Sequence, residues 1–265
     1  MSKTYLFLSG KGGVGKSTTA VSVALALADR GVSCVLMDGD VGLRCADLML
    51  DMQDRVVYDF MDLCEGTCSL DSALYQVPRG PGKLCLLAAS QVLRASQVKP
   101  GKVVRVCSEL RQRFSAVLID GPAGIGRNLK VLLDAADECV VVSTMDDISV
   151  RDAEKSISVL REHGKERISL LLNRVVRDYV VKGLLNTPRA IAQSLDVPLI
   201  GIIPESPLVY RGMIQNKAAY DCGDRALKKA IDDAVSRMLG GSVPLNSPET
   251  SPLVRFFTRT GEQSR

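Results

Sequence analysis

The 265 residues are enough for one α/β domain with a single core, and contents of 46% apolar and 24% charged residues are ordinary for a globular protein. A net charge of +4 and the absence of Trp argue against a nucleic-acid-binding protein that stacks bases. No stretch approaches the roughly twenty apolar residues that span a bilayer, and the single His and scattered cysteines offer no zinc-site spacing. We therefore expect a cytoplasmic protein, with peripheral contact to a membrane left open.

The first predicted strand, Thr4–Ser9, runs directly into a glycine-rich loop. The loop fits the phosphate-binding pattern G-x-x-x-x-G-K-[ST] and precedes a predicted helix that begins at Lys16. Its glycines bring backbone N–H groups close to a polyphosphate, and the helix directs its positive end at the same anion. Lys16 is predicted to hold the β- and γ-phosphates, and Ser17 to ligate Mg²⁺. The predicted nucleotide-binding residues here are Gly10, Lys11, Gly12, Gly13, Val14, Gly15, Lys16, Ser17 and Thr18.

A glycine-rich turn without a ligand is the alternative, and the coincidence of strand, loop, lysine, hydroxyl and helix disfavours it. The second lysine, Lys11, is unusual, because an ordinary phosphate loop does not need it. Phosphoryl transfer depends on positioning and charge stabilisation, so Lys11 is a candidate for supplying positive charge.

Short apolar runs alternate with helical stretches along the rest of the chain. Near-continuous apolar runs indicate strands that are covered on both faces, as in a parallel sheet. The alternation predicts an α/β fold with a doubly wound, mostly parallel sheet and helices on both faces. The predicted strands are Thr4–Ser9, Cys34–Met37, Leu84–Ala88, Ala116–Ile119, Cys139–Thr144, Ile168–Leu172 and Leu199–Ile203; the predicted helices are Lys16–Arg30, Lys102–Arg113, Val150–His163 and Asp224–Leu239.

Aspartates follow two of the predicted strands. Asp38 and Asp40 flank a glycine after the second strand, and Asp120 follows the fourth. Ligands of a doubly wound sheet bind beyond the carboxyl ends of its strands, where these side chains meet the phosphate loop. An apolar strand ending in Asp is the Walker B pattern, whose carboxylate orders Mg²⁺, so we favour a metal role for Asp120 over a helix cap. Either Asp38 or Asp40 could lie near the metal or the attacking water.

The composition changes after Leu239. Residues 240–252 are rich in Gly, Pro and Ser and are predicted to form a mobile linker. We therefore predict an ATPase domain over residues 1–239, a flexible linker over 240–252 and a tail over 253–265.

The tail is a short cationic amphipathic segment when it is drawn as a helix. Its apolar side chains share one face and its arginines the other, which suits an anionic membrane surface. Because the helix would have about two turns, one copy would bind weakly, and two copies on a dimer more tightly. A tail that is disordered or packs on its own domain is the alternative. The predicted membrane residues are Leu253, Arg255, Phe256, Phe257 and Arg259.

These motifs resemble those of the ParA/MinD family of deviant Walker A ATPases. Lys11 matches the signature lysine of that family, and Asn173 and Arg174 match its adenine-side pair. Residues 38–44 resemble switch I and residues 120–125 resemble switch II, with Gly39, Cys45 and Gly121 as departures. Residues 55–60 and 87–91 resemble the branch that places the division septum.

The resemblance implies a P-loop NTPase fold of the SIMIBI class that binds ATP and Mg²⁺ and forms an ATP-dependent homodimer. In such a dimer the signature lysine reaches the other subunit's nucleotide. The resemblance also implies membrane binding at the inner face of the cell membrane, recruitment of a MinC-like division inhibitor, and release after hydrolysis that a MinE-like activator stimulates. The implied catalytic residues are Lys11, Lys16, Asp40 and Asp120, and the implied metal residues are Ser17, Asp38 and Asp120.

Three other functions compete with this one. A flagellar-placement ATPase of the same family would share the loop, switches and tail. A ParA-like DNA-segregation ATPase would need a basic surface patch, which the mild net charge does not favour. A metabolic enzyme with this fold would need cluster cysteines or a second substrate site, and neither is clear in the sequence.

Overall fold

The computed structural model describes residues 2–40, 44–90 and 99–248. The predicted membrane residues of the tail therefore lie outside the described part of the chain. The strands are β1 (Lys3–Ser9), β2 (Cys34–Asp38), β3 (Tyr75–Val77), β4 (Leu84–Leu87), β5 (Ala116–Ala123), β6 (Glu138–Ser143), β7 (Ile168–Val175) and β8 (Leu199–Pro204). The helices are α1 (Lys16–Asp29), α2 (Ala46–Met49), α3 (Phe60–Glu65), α4 (Leu70–Ala73), α5 (Pro100–Arg113), α6 (Arg127–Leu133), α7 (Asp147–Glu162), α8 (Arg177–Val181), α9 (Pro188–Leu195), α10 (Pro207–Ile214) and α11 (Arg225–Met238).

The described strands form one eight-stranded sheet in the order β3-β4-β2-β5-β1-β6-β7-β8. All neighbouring strands pair in parallel except β3, which is antiparallel to β4. The predicted doubly wound, mostly parallel sheet is confirmed. Strand β3 was not predicted, because it has three residues of which only Val77 is buried, and these are too few for an alternation pattern.

Alternate side chains of the strands point into two apolar layers. Leu6 and Leu8 of β1 belong to the layer covered by α5, α6, α7 and α9. Tyr5 and Phe7 belong to the layer covered by α1 and α11. Helix α1 is buried along most of its length, so the helix that follows the phosphate loop is fixed between the sheet and its neighbours.

Strand β5 extends four residues beyond the predicted end at Ile119, as far as Ala123. Asp120 therefore lies within a strand and not at a helix N-terminus, since α6 begins only at Arg127. The extension depends on Gly121, because a Cβ at this position would lie 2.8 Å from the carbonyl oxygen of Phe7. The absence of a side chain lets β5 continue against β1.

The chain after α11 is held against the edge strand β8. The Arg237 guanidinium donates hydrogen bonds to the carbonyl oxygens of Ile200 at 2.7 Å, Val243 at 2.8 Å and Pro244 at 2.7 Å. Leu245 then packs on the layer that contains α9, whereas α11 belongs to the other layer. Part of the predicted linker thus crosses the sheet edge and is docked on the domain. Among the described residues, no helix combines the length and apolar content needed to cross a membrane.

Candidate nucleotide-binding site

The phosphate loop lies between the end of β1 and the start of α1. Gly13 and Gly15 have φ values of 84° and 88°, in the left-handed region that favours glycine. The Thr19 hydroxyl donates a hydrogen bond to the Gly15 carbonyl at 2.8 Å and fixes the first turn of the helix. No side chain in the described ranges caps the N-terminus of α1. Its N–H groups are therefore available to an anion at the loop.

Gly10 marks where the loop passes against α7. A Cβ at Gly10 would overlap the backbone carbonyl of Asp152, whereas a Cβ at Gly12 would meet nothing within 4 Å. We expect Gly10→Ala to lower the free energy of unfolding by roughly 1–3 kcal/mol, because a backbone carbonyl cannot move aside cheaply. Urea unfolding without nucleotide measures this, with Gly12→Ala as the matched control. Equal midpoints for the two variants would contradict the packing argument.

One lysine and three aspartates meet at the carboxyl ends of β1, β2 and β5. Lys16 is 5% exposed, and its Nζ donates a hydrogen bond to Asp120 Oδ1 at 2.6 Å. The same Nζ lies 3.1 Å from the Ser17 hydroxyl and 3.8 Å from Asp40 Oδ2. The sheet register places Asp38 directly opposite Asp120. The structure therefore brings together the side chains that the sequence analysis took from three separate segments.

Asp38 is fully buried and organises the loop that follows β2. Its Oδ1 accepts a hydrogen bond from the Asp40 N–H at 3.1 Å, and its Oδ2 accepts from the N–H groups of Cys45 and Ala46 at 3.2 Å each. Burial, followed by the neighbouring Asp120 carboxylate, raises the pKa of Asp38 to about 7. Burial also raises the pKa of Asp40, and Lys16 acts against this increase. Both oxygens of Asp38 are therefore engaged with the backbone.

One oxygen of Asp120, the buried Oδ2, has no hydrogen-bond partner in the described part of the chain. Within the same ranges, no group of three His, Cys, Asp or Glu side chains could hold a metal ion by itself. Mg²⁺ usually binds through one or two protein oxygens together with phosphates and water. The unpaired Asp120 oxygen and the Ser17 hydroxyl fit such a shared site.

Two of the departures from the family pattern have a packing reason. A Cβ at Gly39 would lie 2.9 Å from Leu132 Cδ1 and 3.1 Å from the Asp120 carbonyl oxygen. Gly39 N–H also donates a hydrogen bond to that carbonyl at 2.8 Å. Gly121 is restricted in the same way against β1. The strand ends that carry the aspartates therefore approach one another closely.

Lys11 lies at the rim of the site. Its Nζ is 3.4 Å from Asp146 Oδ1, and the two side chains are 35% and 49% exposed. Asp146 caps α7 by accepting the Ser149 N–H. Although burial opposes it, hydrogen bonds from the side chains of Ser149 and Thr144 lower the pKa of Asp146 well below its usual range. The two loop lysines thus differ, since Lys16 is buried among carboxylates and Lys11 is half-exposed beside a rim carboxylate.

A cleft of about 560 Å³ extends from the phosphate loop past the ends of β7 and β8. Asn173 and Arg174, which were predicted to lie at the adenine side, line this cleft. Glu205 also lines the cleft and pairs with Arg174 at 2.8 Å, which the sequence analysis missed. Glu205 could have been predicted as a cleft residue from its position one residue beyond β8, because ligands of such sheets bind beyond the strand ends. Apolar side chains from α10 and α11, including Val209, Met213 and Leu227, complete the wall.

The fold and this site together define a phosphate-loop nucleotide-binding protein. The chain belongs to the family described as the CobQ/CobB/MinD/ParA nucleotide binding domain, whose model matches residues 5–243.

Three known proteins show where the chain lies within that family. The septum site-determining protein MinD of Bacillus subtilis is 35% identical over 247 residues, which cover 92% of this chain and 92% of that protein. The solved MinC:MinD cell division protein complex of Aquifex aeolicus has a TM-score of 0.85 and 30% identity, and the match covers 92% of this chain and 98% of that chain. The septum site-determining protein MinD complexed with Mg-ADP from Pyrococcus horikoshii has a TM-score of 0.80 and 25% identity, and the match covers 91% of this chain and 98% of that chain. The resemblance to the ParA/MinD family is confirmed, and within the family this protein is MinD-like.

Proposed function

We propose that this protein is a Mg²⁺-ATP-dependent switch that hydrolyses ATP and controls placement of the division septum from the inner face of the cell membrane. The observation that carries the ATPase part is the contact of buried Lys16 with Asp120, with Asp40 beside it, at the base of a phosphate loop. The names of the relatives support the septum part and favour it over flagellar placement.

The chemistry follows from the positions of the side chains. Lys16 would move from the Asp120 carboxylate to the β- and γ-phosphates and neutralise their charge. Ser17 and Asp120 would hold Mg²⁺, which supplies charge stabilisation and orients the phosphates. Asp40 lines the cleft and would orient the attacking water. Lys11, which is half-exposed at the rim, would supply charge to a nucleotide in a second copy of the chain.

ATP binding and hydrolysis would change the partner and the location of the protein. In the dimer, two copies of the cationic tail would bind an anionic bilayer together, so membrane binding would depend on ATP. The membrane-bound dimer would recruit a MinC-like inhibitor, in line with the MinC:MinD complex of the Aquifex aeolicus protein. Hydrolysis, stimulated by a MinE-like activator, would separate the dimer and release the protein.

Sedimentation with phosphatidylglycerol vesicles tests the switch. We expect the full chain to sediment with Mg²⁺-ATP and to remain in the supernatant with Mg²⁺-ADP, because only the dimer presents two tails. A chain ending at Pro248 should not sediment with either nucleotide, and vesicles of phosphatidylcholine alone should bind little protein.

The endpoint Pro248 is the better control, because a cut after Gly241 would also remove the segment that Arg237 holds. Equal sedimentation with ATP and ADP would contradict the switch. Sedimentation of the shortened chain would contradict the role of the tail. Phosphate release by the wild-type protein, measured in the same samples, tests the hydrolysis step separately.

A further inference from the structure

Asn173 makes a buried contact with the phosphate loop. It is the sixth residue of β7, which β6 separates from β1 in the sheet. The side chain is 7% exposed, and its Nδ2 donates a hydrogen bond to the Val14 carbonyl at 2.9 Å. The donor of this amide is thus engaged with the phosphate loop.

A second observation places the amide against the same turn. A Cβ at Gly15 would overlap Nδ2 of Asn173, and Gly15 has a φ of 88°. The amide nitrogen therefore fills the space that any larger residue at this position would need. The last glycine of the loop and Asn173 fit each other directly.

The hydrogen bond fixes the direction of a loop N–H group. Val14 C=O and Gly15 N–H share one planar trans peptide, so they point in opposite directions. When Asn173 holds the carbonyl, the Gly15 N–H is directed away from Asn173. Gly15 lines the cleft, where such N–H groups bind phosphate oxygens.

The next residue faces a different partner. Arg174 has a φ of 56°, and its guanidinium pairs with Glu205 at the end of β8. Two adjacent residues of β7 thus contact different parts of the cleft. Asn173 contacts the phosphate loop, and Arg174 contacts the residue that follows β8.

We propose that Asn173 is a positioning residue for the phosphate half of the site, which aims the loop N–H groups. The inference rests on the proposed function in one respect, namely that the cleft binds ATP. It changes the role of Asn173 from contact with adenine to organisation of the loop.

Affinities for ATP, GTP and inorganic tripolyphosphate, each with Mg²⁺ and measured by competition with a fluorescent ATP analogue, separate the two roles. We expect Asn173→Ala to weaken all three by a similar factor, roughly tenfold, as for one lost buried hydrogen bond. Asn173→Asp should weaken them further, because it places a carboxylate against the Val14 carbonyl. Glu205→Gln is the matched control, because Glu205 pairs with Arg174 beyond β8, and it should leave the affinity for tripolyphosphate unchanged.

A loss confined to ATP in Asn173→Ala would overturn the proposal and make Asn173 a base reader. A lower melting temperature with unchanged affinities would also overturn it, since the contact would then only stabilise the fold. Where tripolyphosphate binds too weakly to measure, the ratio of ATP to GTP affinity decides between the roles. A wild-type protein that binds none of the three would instead contradict the proposed function.

Discussion

Lys16→Gln is expected to reduce ATP affinity by at least about thirtyfold and to abolish hydrolysis, because truncating a buried charged partner costs roughly 2–5 kcal/mol. The lysine is the cation at the base of the loop, and Asp38, Asp40 and Asp120 surround it. Without its charge, an incoming polyphosphate would meet the repulsion of these carboxylates with no lysine between them to offset it. Isothermal titration with ATP and Mg²⁺ measures the affinity, and phosphate release measures hydrolysis.

Folding must be followed in the same variant. Removing one partner of a buried ion pair costs roughly 3–5 kcal/mol of stability, so a loss of binding could reflect unfolding. Circular dichroism and the urea midpoint separate the two effects, and Lys16→Arg, which keeps the positive charge, provides a second variant. A folded Lys16→Gln protein that binds ATP within about threefold of the wild type would contradict the assigned role of Lys16.

Lys11→Ala is expected to bind ATP with an affinity close to that of the wild type and to lose roughly a thousandfold in hydrolysis, as when a charge supplied in trans is removed. Lys11 is at the rim and half-exposed, so the bound nucleotide of its own subunit depends on it less than on Lys16. The variant should also fail to dimerise with ATP. Steady-state phosphate release measures the first effect, and light scattering coupled to gel filtration measures the second.

Lys155→Ala is the control for this variant, because Lys155 is an exposed lysine on the adjacent helix α7 that pairs with Asp152. It should hydrolyse ATP like the wild type. Lys11 Nζ and Asp146 Oδ1 are 3.4 Å apart in a partly exposed ion pair, so the loss of this pair should lower the free energy of unfolding by at most about 1 kcal/mol. A rate of hydrolysis in Lys11→Ala equal to that of the wild type would contradict a role of Lys11 in hydrolysis.

The sequence predicted the features that depend on local patterns. The apolar run before the loop, the glycines and Lys16 lie next to one another in the chain, so their arrangement follows from the order strand, loop and helix. Asp38 and Asp120 were predicted to meet for a related reason, because parallel strands end at the same edge of the sheet.

The sequence did not reveal contacts that depend on the register of distant segments. The bond from Asn173 to Val14 joins residues 159 positions apart, and no local pattern indicates it. The pairing of Arg174 with Glu205 depends on how the ends of β7 and β8 lie side by side. The extension of β5 to Ala123 depends on the close approach of Gly121 to β1. In the sequence alone, a glycine that allows two strands to approach looks the same as a glycine in a loop.

The docking of the chain by Arg237 sets how far the domain can stand from whatever surface the tail occupies. Arg237 and Leu245 hold residues 243–245 on the domain and Ser247 is buried, so fewer residues separate the docked chain from Leu253 than the range 240–252 suggests. The sequence has four residues from Glu249 to Pro252, and four residues of any chain reach at most about 14 Å, against roughly 45 Å for thirteen. A bound tail would therefore keep the docked segment near the bilayer, and any pull on the tail would reach the domain first through Leu245 and then through the Arg237 guanidinium.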